Sequence, residues 1–138
     1  MDYRTLFYLL LGMVLASIAI SIQNWFLRRR FIRYFGRNAT QAGVDGRLMA
    51  MAEPLDIFRR YQRACAKGFL AGMNESIDLE EKSPERKKAE KDAKKLLKDS
   101  LNWKWVFRKS QRMFRRAQRL AKHFGFTVQK DYTDYLNR

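Results

Sequence analysis

Eight basic side chains stand between Ser100 and Lys130 with no acidic one among them. Placed at about 100° per residue on a helix, Lys104, Arg108, Arg112, Arg115, Arg119 and Lys122 share one narrow stripe, which Lys109 and Arg116 widen. Guanidinium and ammonium groups crowded this way hold phosphate or carboxylate oxygens by charge and hydrogen bond. A second cluster, Arg28, Arg29, Arg30, Arg33 and Arg37, meets no acid before Asp45. Anion recognition is therefore the chemistry this chain is equipped for.

Bond-making chemistry finds little material. His123 is the single histidine and has no Ser, Cys or Asp companion in motif spacing. A structural role or a helix-end charge is its plain reading. Gly43-Val44-Asp45-Gly46-Arg47 lacks both the spacing and the lysine of a phosphate loop. The acid pairs Glu80-Glu81 and Asp131 with Asp134 stand in polar surroundings, which favours solvated charge over a metal or a raised pKa. Cys65 is alone, so no internal disulfide forms, which suits a reducing compartment. The expectation is no enzyme, no metal and no cofactor.

Composition supports an anionic neighbour. The 138 residues carry 29 Lys+Arg against 14 Asp+Glu, a formal net charge of +15. Such a surplus calls for lipid headgroups, nucleic acid or an acidic protein surface. It is also uneven. The stretches 1–27 and 75–99 balance, and the excess sits after residue 27, around Arg59 to Lys67, and from Lys104 to Lys122.

The first cluster has a positioning element that is easy to identify. Leu6 to Ile22 contains no charged side chain, and extension to Leu27 crosses only Gln23 and Asn24. That suffices for a bilayer core of about 30 Å at about 1.5 Å per residue. Tyr3, Phe7 and Tyr8 at one end and Trp25 and Phe26 at the other stand where aromatic belts form. A cleaved signal peptide has a shorter apolar core and a basic leader, whereas Asp2 offsets Arg4 here. The positive flank after the run places the C-terminal region in the cytoplasm or mitochondrial matrix and the N-terminus outside. Gly12, Ala16 and Ala19 share one face of the span, where small residues let another membrane helix approach. Ordinary membrane-helix composition explains them equally well.

The remaining chain reads as helices. Residues 28–46 form a basic interfacial extension, with Gly36 as a stop, and then a loop from Arg37 to Gly46. An amphipathic helix over 47–74 opens near Pro54 and presents Phe58, Tyr61, Cys65 and Phe69 at helical spacing. An acidic linker follows over 75–83. Ser83-Pro84-Glu85 starts a charged helix, with serine as cap and proline in the first turn. Asp99-Ser100 marks a break before the basic amphipathic helix, and the pair fills 84–125. Its apolar arc comprises Trp103, Val106, Met113, Phe114, Ala117, Leu120, Ala121 and Phe124, with Gly125 closing it. Residues 1–4 are a short flank, 5–27 the transmembrane helix and 126–138 a tail. The fold class is all-α: one N-terminal transmembrane helix followed by a small, extended, basic helical region.

Four roles suit the basic helix: packing within the chain with its charge solvated, contact with anionic lipid, stacking of Trp105 on nucleic acid, and docking on an acidic protein groove. Both its faces need covering, which favours partner subunits of a membrane complex. Anionic phospholipid such as cardiolipin would be a further partner of Arg28, Arg29, Arg30, Arg33, Arg37, Arg108, Arg112, Arg115, Arg116 and Arg119. In size, single span and charge the chain resembles the supernumerary subunits of mitochondrial respiratory complexes or ATP synthase, across its general plan rather than by motif. The resemblance implies a non-catalytic accessory subunit of an inner-membrane complex, mitochondrial by preference, with a bacterial inner-membrane subunit fitting the same features. An Arg-rich amphipathic presequence is absent, so import would rely on the span and its basic flank. A membrane tether for RNA or ribosomes is the alternative. Asn38-Ala39-Thr40 is a glycosylation sequon, and the expected topology keeps it from the modifying enzyme. Expression in cells with a glycosylating secretory pathway should leave Asn38 bare, and a glycosidase-sensitive shift of the protein band would invert the topology.

Overall fold

A single unbroken helix, α1 (Tyr3–Phe35), carries both the apolar run and the arginine cluster in the computed structural model, which describes residues 2–137. Met1 of the expected flank and Arg138 of the expected tail lie outside the described residues. α1 stops at Gly36, whose N–H bonds the Ile32 carbonyl and whose φ of 85° suits a residue without a Cβ. Three more helices follow: α2 (Gln41–Ile77), α3 (Pro84–His123) and α4 (Tyr132–Leu136). The fold is all-α, and no strand occurs among the described residues.

Four element boundaries differ from the sequence reading, the simplest being the end of α2, which runs to Ile77 and so takes the first three residues of the expected linker. The loop expected through Gly46 closes by Thr40, whose side-chain oxygen accepts from the Gly43 N–H at 3.2 Å and starts α2. Thus the threonine of the sequon serves as a helix cap. Pro54, expected near a helix start, lies inside α2. A proline there removes one backbone hydrogen bond and crowds the carbonyl four residues earlier. Pro54 and Ala50 are both exposed, so water can serve that carbonyl. Val44, Leu48, Ala52 and Leu55 meanwhile keep one buried face running past the proline. The expected break at Asp99-Ser100 does not occur either. Ser100 is buried inside α3, and its hydroxyl donates to the Gln62 carbonyl of α2 at 3.3 Å. A residue type that often caps helices is here used to join two of them.

The expected start of α3 holds. Ser83 Oγ accepts from the Arg86 N–H at 3.2 Å, with Pro84 in the first turn. At the other end Gly125, at φ 87°, lets the chain turn back after His123.

α2 and α3 form an antiparallel hairpin with two unlike halves. Far from α1 it is two helices thick and closely apposed. A Cβ on Gly72 would meet the Ala93 Cβ at 3.1 Å, and one on Gly68 would meet a Leu96 methyl at 3.0 Å. Near α1 the hairpin thickens into the core. Phe31 and Phe35 of α1, Leu48 and Leu55 of α2, Phe107, Phe114 and Ala121 of α3, and Tyr135 of α4 are buried together. The segment expected as a tail therefore completes this core.

Side chains fix that segment where no helix or sheet could. The Gln41 amide donates to the Thr127 carbonyl at 2.7 Å and accepts from the Thr127 N–H at 3.0 Å. Gln118 Nε2 donates to the Gln129 carbonyl at 2.7 Å, and the Gln129 N–H donates to Tyr135 Oη at 2.9 Å. The Gln41 pair ties down an exposed stretch, whereas the two bonds at Gln129 satisfy backbone groups that are partly buried.

Phe114 is 2% exposed and packs edge-on against Tyr135, with ring centroids 5.8 Å apart. Phe114→Ala should destabilise the helical domain by about 3–5 kcal/mol, read from denaturant unfolding of the purified protein.

Candidate anion-binding site

The ten arginines expected to meet an anion are all exposed, and the fold divides them among different places. Arg29 lies over the Trp25 ring, 5.3 Å from its centroid, at the end of the apolar run. Arg28 and Arg37 line none of the clefts described here. Arg108 and Arg112 line a cleft of about 460 Å³ on α3 with Lys104 and Lys109, whose ammonium sits 5.1 Å from the Trp105 ring centroid.

Arg115 faces the opposite flank of the domain. There it joins Arg59, Arg60, Arg63 and Lys130 around a cleft of about 550 Å³ that also contains Asp56 and Asp131. Part of that charge is compensated, since Arg60 Nε lies 2.9 Å from an Asp56 carboxylate oxygen.

The remaining members converge. Arg30 and Arg33 of α1 face Arg116 and Arg119 of α3 across a cleft of about 690 Å³, which Leu27, Tyr34, Leu120 and His123 also line. Local helical spacing explains each wall. Leu27, Arg30, Arg33 and Tyr34 recur three, six and seven residues apart. Arg116, Arg119, Leu120 and His123 recur three, four and seven apart, so each set shares a helix face. The walls are brought together by aromatic packing next to them. Phe31 lies 4.8 Å from Phe124 and 5.6 Å from Phe126 between ring centroids, and stacks nearly parallel on the latter.

No carboxylate lines this cleft. Among the described residues, none of its four arginines forms a salt bridge, the ion pairs being Arg60–Asp56 and Arg86–Glu90. The arrangement is four guanidinium groups with free hydrogen-bond donors, beside a leucine floor, at the exit of the apolar helix. Fork-shaped guanidinium groups suit the paired oxygens of phosphate or carboxylate.

Other candidates acquire structural roles. Asp131 and Asp134 form a reciprocal capping box at the start of α4. Glu80 and Glu81 occupy the turn between α2 and α3. Among the described residues, no group of three or more His, Cys, Asp or Glu side chains is placed to hold a metal ion. Gly12, Ala16 and Ala19 stay exposed on α1, and a Cβ on Gly12 would meet nothing within 4 Å.

Sequence reasoning did not anticipate the pairing of the two arginine sets, nor His123 beside them. A three-four spacing on each helix was visible, but nothing in the sequence related the two helices. No known family model, curated protein or solved structure matches the chain.

Like charges one turn apart on a helix repel by about 0.2–0.5 kcal/mol per pair. Replacing Arg116 and Arg119 with glutamine should therefore raise the unfolding midpoint at low ionic strength. The gain should fade as salt shortens the Debye length, and a destabilised variant would mean that these arginines have partners within the fold.

Proposed function

We propose that the protein is a non-catalytic, single-pass membrane protein whose basic helical domain sits directly beneath the bilayer as an accessory part of a larger membrane complex. One observation carries the reading: α1 is long and apolar enough to cross a membrane, and none of its most apolar window is buried by the rest of the chain. Leu9, Leu10, Leu15, Ile18, Ile20 and Ile22 are each more than half exposed. Burying such side chains contributes about 1.5–3 kcal/mol each, so an apolar environment must cover them. Lipid supplies it.

The arginines at the end of this run favour the same arrangement. Tyr3 to Leu27 reaches about 37 Å at about 1.5 Å per residue, a little more than a hydrocarbon core of about 30 Å. Because α1 then continues without interruption into the core, the helical domain has no flexible linker separating it from the headgroups. The surplus of positive charge suits the anionic leaflet on that side. An accessory-subunit role draws support from Ile57, Leu70, Leu101 and Met113, apolar side chains left exposed on α2 and α3. An inner membrane, mitochondrial or bacterial, is the proposed location.

A tether for RNA is the second reading, favoured by Trp105, which is 63% exposed within the basic outer surface of α3. Stacking of bases on such a ring is sequence-tolerant and adds to phosphate contacts. Lys109 already covers one approach to it.

Alkaline carbonate should leave the protein in the membrane pellet, and release into the supernatant would end the spanning reading. After mild solubilisation the protein should migrate in a large complex on native electrophoresis, unchanged by nuclease. Collapse of that complex by nuclease would select the tether instead.

A further inference from the structure

We infer that the cleft between α1 and α3 is a phosphate-coordinating site for the headgroup of one anionic phospholipid, drawn from the leaflet beside the helical domain. The inference rests on α1 spanning the bilayer, and deepens that reading from general attraction to a defined site.

Position favours a lipid. Leu27 lines the cleft and also ends the apolar run, so the cleft mouth lies at the depth where headgroup meets acyl chain. A lipid phosphate entering between Arg30 and Arg33 on one side and Arg116 and Arg119 on the other would leave its chains alongside α1.

Charge comes next. The cleft around Arg115 contains two carboxylates, whereas this one has none to offset its guanidinium groups; the cleft of Lys104, Arg108, Lys109 and Arg112 also lacks a carboxylate but draws its cations from α3 alone. Four fixed cations with no counter-ion attract an anion most strongly where low-dielectric walls exclude water, and a membrane surface supplies such a wall.

Size and geometry agree. A volume of about 690 Å³ falls within the range of roughly 300–1,000 Å³ typical of small-molecule sites and leaves room for more than a bare phosphate. The two pairs are held on rigid elements, each pair spaced three residues apart on its own helix, and the Phe31–Phe124–Phe126 cluster fixes the distance between those helices. Guanidinium forks anchored this way lose less freedom on binding than lysines on a mobile segment would. Phosphate is the shared chemistry of a lipid headgroup, free phosphate and RNA. Continuity with the span favours the lipid.

The test uses the full-length protein in a non-ionic detergent, titrated in mixed micelles with phosphatidylglycerol or phosphatidylcholine, with bound lipid counted by native mass spectrometry. Phosphatidylglycerol should bind at least about tenfold more tightly. The variant Arg30→Gln, Arg33→Gln, Arg116→Gln, Arg119→Gln should lose that preference. A control with equal charge loss outside the cleft, Lys104→Gln, Arg108→Gln, Lys109→Gln, Arg112→Gln, should keep it within about threefold. Equal losses in the two variants would mean diffuse attraction and overturn the site, as would no preference in the native chain. Should the fourfold cleft variant fail to fold, Arg116→Gln with Arg119→Gln gives the same comparison against Arg108→Gln with Arg112→Gln. Millimolar inorganic phosphate should not displace the lipid. Displacement by it, or tighter cleft-dependent binding of a short oligouridylate, would overturn the assignment to lipid. Carbonate extraction separates the two failures: released native protein defeats the span, whereas retained protein without lipid preference defeats the site alone.

Discussion

The burial of Phe31 and Phe35 is the constraint on which the rest of the architecture depends. These two rings sit on the last turns of the apolar helix, yet they belong to the core formed by α2, α3 and α4. Without them α1 would be a peg with a separate domain trailing behind it. With them, the helix axis passes from the apolar run into the core with no joint between, so α1 and the domain have a fixed relative placement. Large aromatic side chains suit this role because each buries much apolar area and loses few rotamers on ordering.

That coupling explains why charge of one sign can accumulate on facing helices. Arg30 and Arg33 repel Arg116 and Arg119, and no carboxylate lies in the cleft between them. The cost is spread over exposed groups that water and salt screen, while the aromatic contacts beside the cleft bury Phe31. Apolar packing holds in place an electrostatic arrangement that would not form by itself. Local rules are broken in this way most often where a binding function compensates.

The hairpin shows the same division of labour along its length. Its distal half is thin, relies on Gly68, Gly72 and Ala93 for close helix approach, and carries the balanced charges of the turn region. Its proximal half has the large side chains and the returning C-terminal segment. Gln41 and Gln118 hold that segment through its backbone groups, which lets an irregular stretch lie against a core without leaving donors unsatisfied.

The all-helical class, the apolar run, the stop at Gly36 and the start at Ser83 were legible in the sequence because each depends on contacts within a few residues. The basic stripe was legible for the same reason, as 3.6-residue periodicity needs no partner. Pro54 and Ser100 misled because their local preferences were outweighed by a buried face on one side and a cross-helix hydrogen bond on the other. Only the tertiary structure decided which arginines meet. Arg115 and Arg116 are neighbours in sequence, yet they line clefts on different flanks of the domain. Adjacent helical residues diverge by about 100°, and which neighbour faces α1 depends on where α3 packs, a long-range matter of fitting Phe31 against Phe124 and Phe126. The sequence thus settled that the chain would carry unpaired positive charge beside an apolar helix, and the packing of distant aromatic rings settled where that charge converges.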